Sequence, residues 1–74
     1  MDGKEESLER EIRRRKADWD FINRQPPRIR AALAFYVEHG DEYKAAKLAG
    51  LKLETFEELR IRARIPKVVW REGE

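Results

Sequence analysis

The most constraining feature of the sequence is a pair of small residues, Ala46 and Gly50, set four positions apart. Two short helices that meet at a tight turn need a small residue where they touch and a residue that accepts positive φ where the first helix ends. Ala46 meets the first need and Gly50 the second. Five positions that would face inward are also apolar: Ala45, Ala49, Leu51, Phe56 and Leu59. The pattern therefore predicts two helices joined by a short turn within residues 41–61.

Helix-ending residues divide the chain before this unit. Helix-forming residues fill positions 4–23, and the segment Gln25-Pro26-Pro27 ends that helix because proline disfavours helical geometry in the residue before it. Pro27 suits the first turn of a second helix, where its missing N–H would have no partner anyway. The second helix is expected to run to about Glu38 and to stop at Gly40 in a left-handed cap.

The first helix carries both an apolar stripe and a basic run. Leu8, Ile12, Trp19 and Ile22 share one helical face and are expected to pack inward. Arg13–Lys16 falls in the middle of this helix and is expected to point mostly to solvent. Two interpretations of the basic run stay open, a solvated face with local ion pairs and a phosphate-binding cluster.

The C-terminal part of the chain begins with a good helix cap. Asp41 suits the N-cap of the third helix, and a fourth helix is expected from about Glu54 to Ala63. Lys52 stands where Ser or Thr would usually cap that last helix. Pro66 blocks further helix, and the Val68-Val69-Trp70 segment is expected to serve either the monomer core or a dimer interface.

Together these patterns predict an all-α fold in a single domain over residues 1–74. The architecture is a small four-helix domain, with an N-terminal helix in residues 1–25, a helix-turn-helix in residues 41–61 and a short extended tail in residues 65–74. Because a chain of 74 residues buries a modest share of its surface and has no cysteine, oligomerisation is a reasonable means of stabilisation. We therefore expect a homodimer.

The residues for catalysis or metal binding cannot be assembled from this sequence. His39 is the only histidine, and its place at a helix end suits a charge that interacts with the helix dipole. No cysteine or carboxylate cluster accompanies it, and Ser7 and Thr55 have no partner for nucleophilic activation. We expect no enzyme activity, no metal and no cofactor.

The sequence has no apolar run near the length of about 20 residues that a membrane-spanning helix needs. Its first residues, Met-Asp-Gly-Lys-Glu-Glu, are polar and acidic, unlike a signal peptide. These features predict a cytoplasmic protein without membrane contact.

Residues from about 31 to 69 resemble small archaeal and bacterial helix-turn-helix proteins of antitoxin type. The resemblance rests on Ala-Ala-Lys-Leu-Ala-Gly-Leu, on the apolar Phe35-Tyr36-Val37 segment and on the ending Arg64-Ile65-Pro66, with Phe56 and Leu59 between them. It implies a dimeric DNA-binding or autoregulatory protein that pairs with a toxin. It covers about half of the chain and leaves out the N-terminal helix.

Cations near the last two helices are the candidate contacts to double-stranded DNA. Residues 60–74 hold five cations and two anions, and in a helix-turn-helix the first helix crosses the DNA backbone while the second enters the major groove. Arg60, Arg62 and Arg64 suit structural ion pairs and phosphate contacts equally well. The full candidate set is Lys44, Lys47, Lys52, Thr55, Arg60, Arg62, Arg64, Arg13, Arg14 and Arg15.

The expected outer face of the fourth helix complicates this interpretation. Six residues are expected to lie on that face, and three of them are acidic: Glu54, Glu57 and Glu58. Carboxylates repel phosphates, and glutamate recognises a base only by accepting a hydrogen bond from cytosine. Two hypotheses follow from the sequence. The protein is a DNA-binding transcriptional regulator, or it is an interaction module or antitoxin whose acidic face meets a basic protein partner.

Overall fold

A computed structural model describes the backbone of residues 3–67 and the side chains of residues 7–67. Over that range the chain is all-helical, which confirms the predicted fold class. Five helices are present in this order: α1 (Gly3–Lys16), α2 (Trp19–Asn23), α3 (Pro27–His39), α4 (Glu42–Ala49) and α5 (Leu53–Arg62).

The predicted N-terminal helix is in fact two helices, because the helical conformation is interrupted at Ala17 and Asp18. Asp18 adopts extended geometry as the N-cap of α2, and its side chain accepts a hydrogen bond from the backbone N–H of Phe21. Its own N–H donates to the carbonyl of Ala63 at 2.7 Å. The prediction of one continuous helix was wrong because a capping aspartate and a long-range backbone bond both favour a break here.

The helix α3 lies at the centre of the fold. It packs most extensively against α4, and α1 and α2 also contact it, while α4 in turn packs against α5. Tyr36 of α3 meets Phe56 of α5 edge to face, with ring centroids 5.9 Å apart. The largest fully buried side chains are Phe56, Ile22, Leu33, Ile65 and Val37.

Three turns between and after the helices use left-handed backbone. Gly40 and Gly50 end α3 and α4 with φ values of 68° and 72°, as predicted. Arg64, the residue after the cap of α5, also has a positive φ of 58°. The N–H groups of Arg64 and Ile65 bond to the carbonyls of Ile61 and Arg60, which is the Schellman arrangement that usually carries glycine at this position.

The prediction that Arg13–Lys16 points mostly to solvent was wrong for Arg13, which is 4% exposed. Its Nε donates to the carbonyl of Val37 at 2.8 Å, and its guanidinium lies over the ring of Tyr36 and beneath Gly40. Arg10 donates to the carbonyl of Glu38 at 2.9 Å. These arginines satisfy carbonyls at the C-terminal end of α3, where the helix itself supplies no donors.

Most of the predicted apolar stripe of the first helix is wrong as well. Ile22 is fully buried, but Leu8 and Ile12 are 53% and 39% exposed. Trp19 was expected in the core and instead lies at the surface, where its indole N–H donates to the carbonyl of Arg14 at 2.9 Å. Because Arg13 rather than an apolar side chain faces α3, α1 is attached through hydrogen bonds more than through apolar packing.

The chain after α5 runs through Arg64 without regular structure up to Lys67. Ile65 is buried there, and the Arg60 side chain donates to its carbonyl at 2.7 Å. The remainder of the predicted extended tail, including Val68-Val69-Trp70, lies outside the described residues.

Replacing the buried arginine tests this attachment. We expect Arg13→Met to lower the free energy of unfolding by about 2 kcal/mol or more, because it leaves buried carbonyls without a charged donor. Chemical denaturation of Arg15→Met supplies the control. Arg15 forms only an exposed i,i+4 pair with Glu11, so its loss should cost less than about 0.5 kcal/mol. Equal effects of the two substitutions would contradict a structural role for Arg13.

Candidate nucleic-acid interface

Helices α4 and α5 are joined by a three-residue turn. Gly50 lets the chain leave α4, and the N–H groups of Gly50 and Leu51 bond to the carbonyls of Lys47 and Ala46. Ala45, Ala46 and Ala49 are buried, as is Phe56 on α5, so the small residues of α4 do lie at a close helix contact. The sequence prediction of two short helices with a tight turn between them is confirmed.

Four of the predicted site residues on α4, on α5 and at the cap between them are exposed. Lys44 and Lys47 lie on the outer surface of α4, and Thr55 lies in the first turn of α5. Lys52 occupies the N-cap of α5 and makes no side-chain capping bond, as its residue type predicts. The first backbone N–H groups of α5 therefore have no side-chain cap.

The predicted cations of α1 have partners within the fold. Arg13 is buried against α3, Arg14 pairs with Glu38, and Arg15 pairs with Glu11. The hydrogen bond from Arg14, reinforced by its charge, lowers the pKa of the Glu38 carboxyl. Burial lowers the pKa of Arg13, although an arginine stays protonated at any ordinary pH. Arg13, Arg14 and Arg15 thus have partners within the fold, unlike the exposed lysines of α4.

The three predicted arginines after α5 differ from one another. Arg60 is largely buried and lies 2.9 Å from Glu57. Arg62 is exposed, with its guanidinium over the ring of Phe21 at 5.8 Å. Arg64 is exposed and holds the strained left-handed position. No described carboxylate lies within salt-bridge distance of Arg62 or Arg64.

The outer face of α5 is less acidic than the sequence predicted. Glu54 and Glu58 are exposed, but Glu57 turns inward to contact Arg60 and approaches Glu42 of α4. The expectation that all three carboxylates share the outer face was wrong. Burial of the Glu57 side chain is possible because Arg60, one helical turn away, supplies a charge-assisted hydrogen bond.

Sequence analysis missed the paired carboxylates of Glu42 and Glu57. Lys67 lies 3.2 Å from Oε1 of Glu42, and Arg60 is 2.9 Å from Oε1 of Glu57. Oε1 of Glu42 and Oε2 of Glu57 are buried and receive no well-directed hydrogen bond from the described residues. A single proton held between the two carboxyl groups would satisfy both oxygens.

The contact between the two carboxyl groups shifts their pKa values in opposite directions. The pKa of Glu42 is raised, mainly by the hydrogen bond with Glu57 and to a smaller extent by burial. Burial acts to raise the pKa of Glu57, but the hydrogen bonds from Glu42 and Arg60 outweigh it and lower that pKa. Because the sequence places these residues 15 positions apart, only the fold could reveal the pair.

Sequence analysis also missed three exposed cations near the start of α3: Arg24, Arg28 and Arg30. Arg28 reaches the far end of α4, where its Nε donates to the carbonyl of Leu48 at 2.8 Å. Arg30 makes only a long bond of 3.5 Å to the carbonyl of Gln25. The position of Arg28 at the α4–α5 turn adds positive charge to the end of the unit that also holds Lys47 and Lys52.

Two other features, a metal-binding cluster and a membrane-spanning helix, are absent from the described residues. No group of three His, Cys, Asp or Glu side chains lies close enough together there to hold a metal ion. None of the helices is both long and apolar enough to cross a membrane.

Comparison of the chain with models of protein families, with curated proteins and with solved structures finds no match. The resemblance to antitoxin-type helix-turn-helix proteins therefore stays a prediction.

The carboxylate pair predicts a pH-dependent contribution to stability. A carboxyl whose pKa is raised by folding stabilises the fold below its ordinary pKa, near 4.5, and loses that contribution as pH rises through the folded value. We expect Glu42→Gln, which keeps a donor to Glu57 but cannot ionise, to gain stability over the native chain between about pH 4.5 and 7. Urea unfolding across this pH range measures the difference.

Glu57→Gln is the matched variant for the pH measurement. It removes the partner that contributes most to the raised pKa of Glu42. When the Glu42→Gln, Glu57→Gln double variant is compared with Glu57→Gln alone, the difference in free energy of unfolding should therefore change less with pH. A stability difference that stays constant from pH 4.5 to 7 would exclude a shared proton.

Proposed function

We propose that the protein is a small helix-turn-helix DNA-binding transcriptional regulator in which α5 approaches the major groove. One observation carries the proposal. The three predicted cations of α1, Arg13–Arg15, make contacts within the fold. By contrast, four exposed cations around α4 and α5 have no described carboxylate partner: Lys44, Lys47, Lys52 and Arg62. Such uncompensated cations are what neutralise DNA phosphates.

The dimensions of α5 support this placement. An α-helix with its side chains is about 10–12 Å across, which fits a major groove about 12 Å wide. The ten residues of α5 give it a length of about 15 Å along the groove. Lys52 stands at one end of α5, and Arg62 and Arg64 stand at the other. In the proposed complex Lys52 and Thr55 lie nearest the bases, while Lys44 and Lys47 contact phosphates as α4 crosses the backbone.

The strained backbone at Arg64 gives independent support. A residue with a side chain at a left-handed position costs roughly 1 kcal/mol more than glycine, and such positions cluster at functional sites. Arg64 is exposed, and its described hydrogen bonds come from the backbone, which glycine would keep. A phosphate contact by its guanidinium would account for arginine at a position that favours glycine.

We propose that the DNA-binding form is a homodimer, as is usual for helix-turn-helix regulators that bind two half-sites. The exposed Leu8 and Ile12 on α1 are apolar surface that a second chain could cover. The proposal includes an antitoxin role, in which the same chain binds DNA to regulate transcription and also binds a toxin.

Salt titration tests DNA binding. We expect the affinity of the full chain for a labelled duplex of about 20 base pairs to fall steeply as KCl is raised, measured by fluorescence anisotropy. Arg64→Gly should bind DNA more weakly, with a salt slope smaller by about 0.9, while raising the free energy of unfolding by up to about 1 kcal/mol. Stability and binding should therefore change in opposite directions.

Two results would count against this proposal. Absence of duplex binding at low salt, or binding that ignores salt, rejects a DNA-binding function. Unchanged DNA binding by Arg64→Gly rejects the phosphate contact at that residue and leaves its strained backbone without a functional account.

A second candidate function is supported by the exposed Glu54, Glu58 and Ile61 on α5, of which Ile61 is 62% exposed. An acidic face with an exposed aliphatic side chain suits a basic protein partner such as a toxin nuclease. The double substitution Glu54→Gln and Glu58→Gln separates the two functions. If α5 faces DNA, the variant should bind duplex DNA as well as or better than the native chain, measured by the same anisotropy titration.

The matched variant for this comparison is Glu11→Gln on α1, which removes an exposed carboxylate far along the chain from α5. Weaker DNA binding by the α5 double variant than by this control would contradict a repulsive role for the acidic face. Loss of binding to a basic partner in the double variant alone would support the interaction module.

A further inference from the structure

Arg28 is fixed across the α4–α5 turn although it belongs to α3. Its Nε donates to the carbonyl of Leu48, in the last turn of α4, at 2.8 Å. A Cβ added to Gly50 would lie 3.1 Å from the guanidinium carbon and 3.2 Å from Nη2 of the same side chain. The guanidinium therefore rests on the glycine of the turn, three residues before the first residue of α5.

The charge of Arg28 is not neutralised by these contacts. Its described hydrogen-bond acceptor is a backbone carbonyl, and no described carboxylate lies within salt-bridge distance of it. The Arg28 residue is exposed, and no acceptor among the described residues is bonded to its other guanidinium N–H groups. Arginine presents five donors in a rigid fork, so one N–H can hold the side chain in place while others stay available for an anion.

We propose that Arg28 binds a DNA phosphate next to the α4–α5 turn, as a contact supplied from outside the helix-turn-helix unit itself. This inference rests on the proposed DNA-binding function. In a helix-turn-helix the first helix crosses the sugar-phosphate backbone, so the last turn of α4, which Arg28 contacts, lies beside phosphates in the proposed complex. The bond to Leu48 holds the guanidinium at that place before DNA arrives, which reduces the entropy lost on binding.

The same geometry explains a second requirement on Gly50. Its left-handed φ favours glycine in any case, and the hydrogen atom in place of Cβ also leaves room for the guanidinium of Arg28. The contact thus ties the position of one cation to the conformation of the turn.

The test compares salt slopes for charge removals on the same helix. Arg28→Met and Arg30→Met each remove one exposed cation from α3, but two residues along a helix are about 200° apart around its axis. Binding to a mixed-sequence duplex of about 20 base pairs is measured by anisotropy over a range of KCl concentrations. Log affinity falls as log salt rises, and in Arg28→Met this fall should be less steep by about 0.9. The affinity of Arg28→Met near 0.1 M salt should be roughly fivefold to tenfold weaker than that of the native chain.

Arg30→Met should keep the slope of the native chain, and Arg28→Lys should keep it as well, since lysine retains the charge. Thermal unfolding of each variant reveals any structural role of Arg28. A lowered melting temperature in Arg28→Met with an unchanged salt slope would show that Arg28 only supports the turn, which overturns the inference.

The outcomes also separate this inference from the proposed function. Salt-dependent binding by the native chain with equal slopes for Arg28→Met and Arg30→Met rejects the phosphate contact and leaves DNA binding in place. Failure of the native chain to bind duplex DNA rejects both.

Discussion

The hydrogen bond from the buried Arg13 to the carbonyl of Val37 is the interaction on which the N-terminal half of the fold depends. It attaches α1 to the end of α3, and the same guanidinium supports Gly40, where the chain turns toward α4. A buried charge is costly unless it is well hydrogen-bonded, and the C-terminal carbonyls of a helix, which carry partial negative charge, are suitable acceptors. Without this contact, α1 would keep few apolar side chains against the core.

Much of the fold could be predicted from residues that act locally. Gly40, Asp41 and Gly50 specify helix ends through their own conformational preferences, and the structure confirms each of them. The apolar spacing of α4 identified its buried face in the same way. These features depend on a few neighbouring residues, so a single sequence suffices to find them.

The errors came from contacts between distant residues. Helical spacing cannot show that Arg13 finds carbonyls 24 positions away, or that a backbone bond from Asp18 to Ala63 favours a break after α1. The same distinction between local and long-range contacts applies to the candidate site. Lys44, Lys47 and Lys52 are exposed as expected, whereas Glu57 turned inward because Arg60 and Glu42 meet it only once α4 and α5 have packed.

The inward turn of Glu57 also changes the electrostatic argument about function. With Glu57 paired to Arg60 and turned toward Glu42, two carboxylates rather than three face outward from α5. Arg28 places a further cation beside the turn, from a helix that the sequence alone gave no reason to associate with it. Because Glu57 pairs with Arg60, its inward turn removes one anion and one cation from the outer surface of α5. The contact of Arg28 is therefore the difference that adds positive charge near the start of α5. Because phosphate attraction depends on exposed charge rather than on composition, the exposed charge of Arg28 supports the proposal that this face contacts DNA.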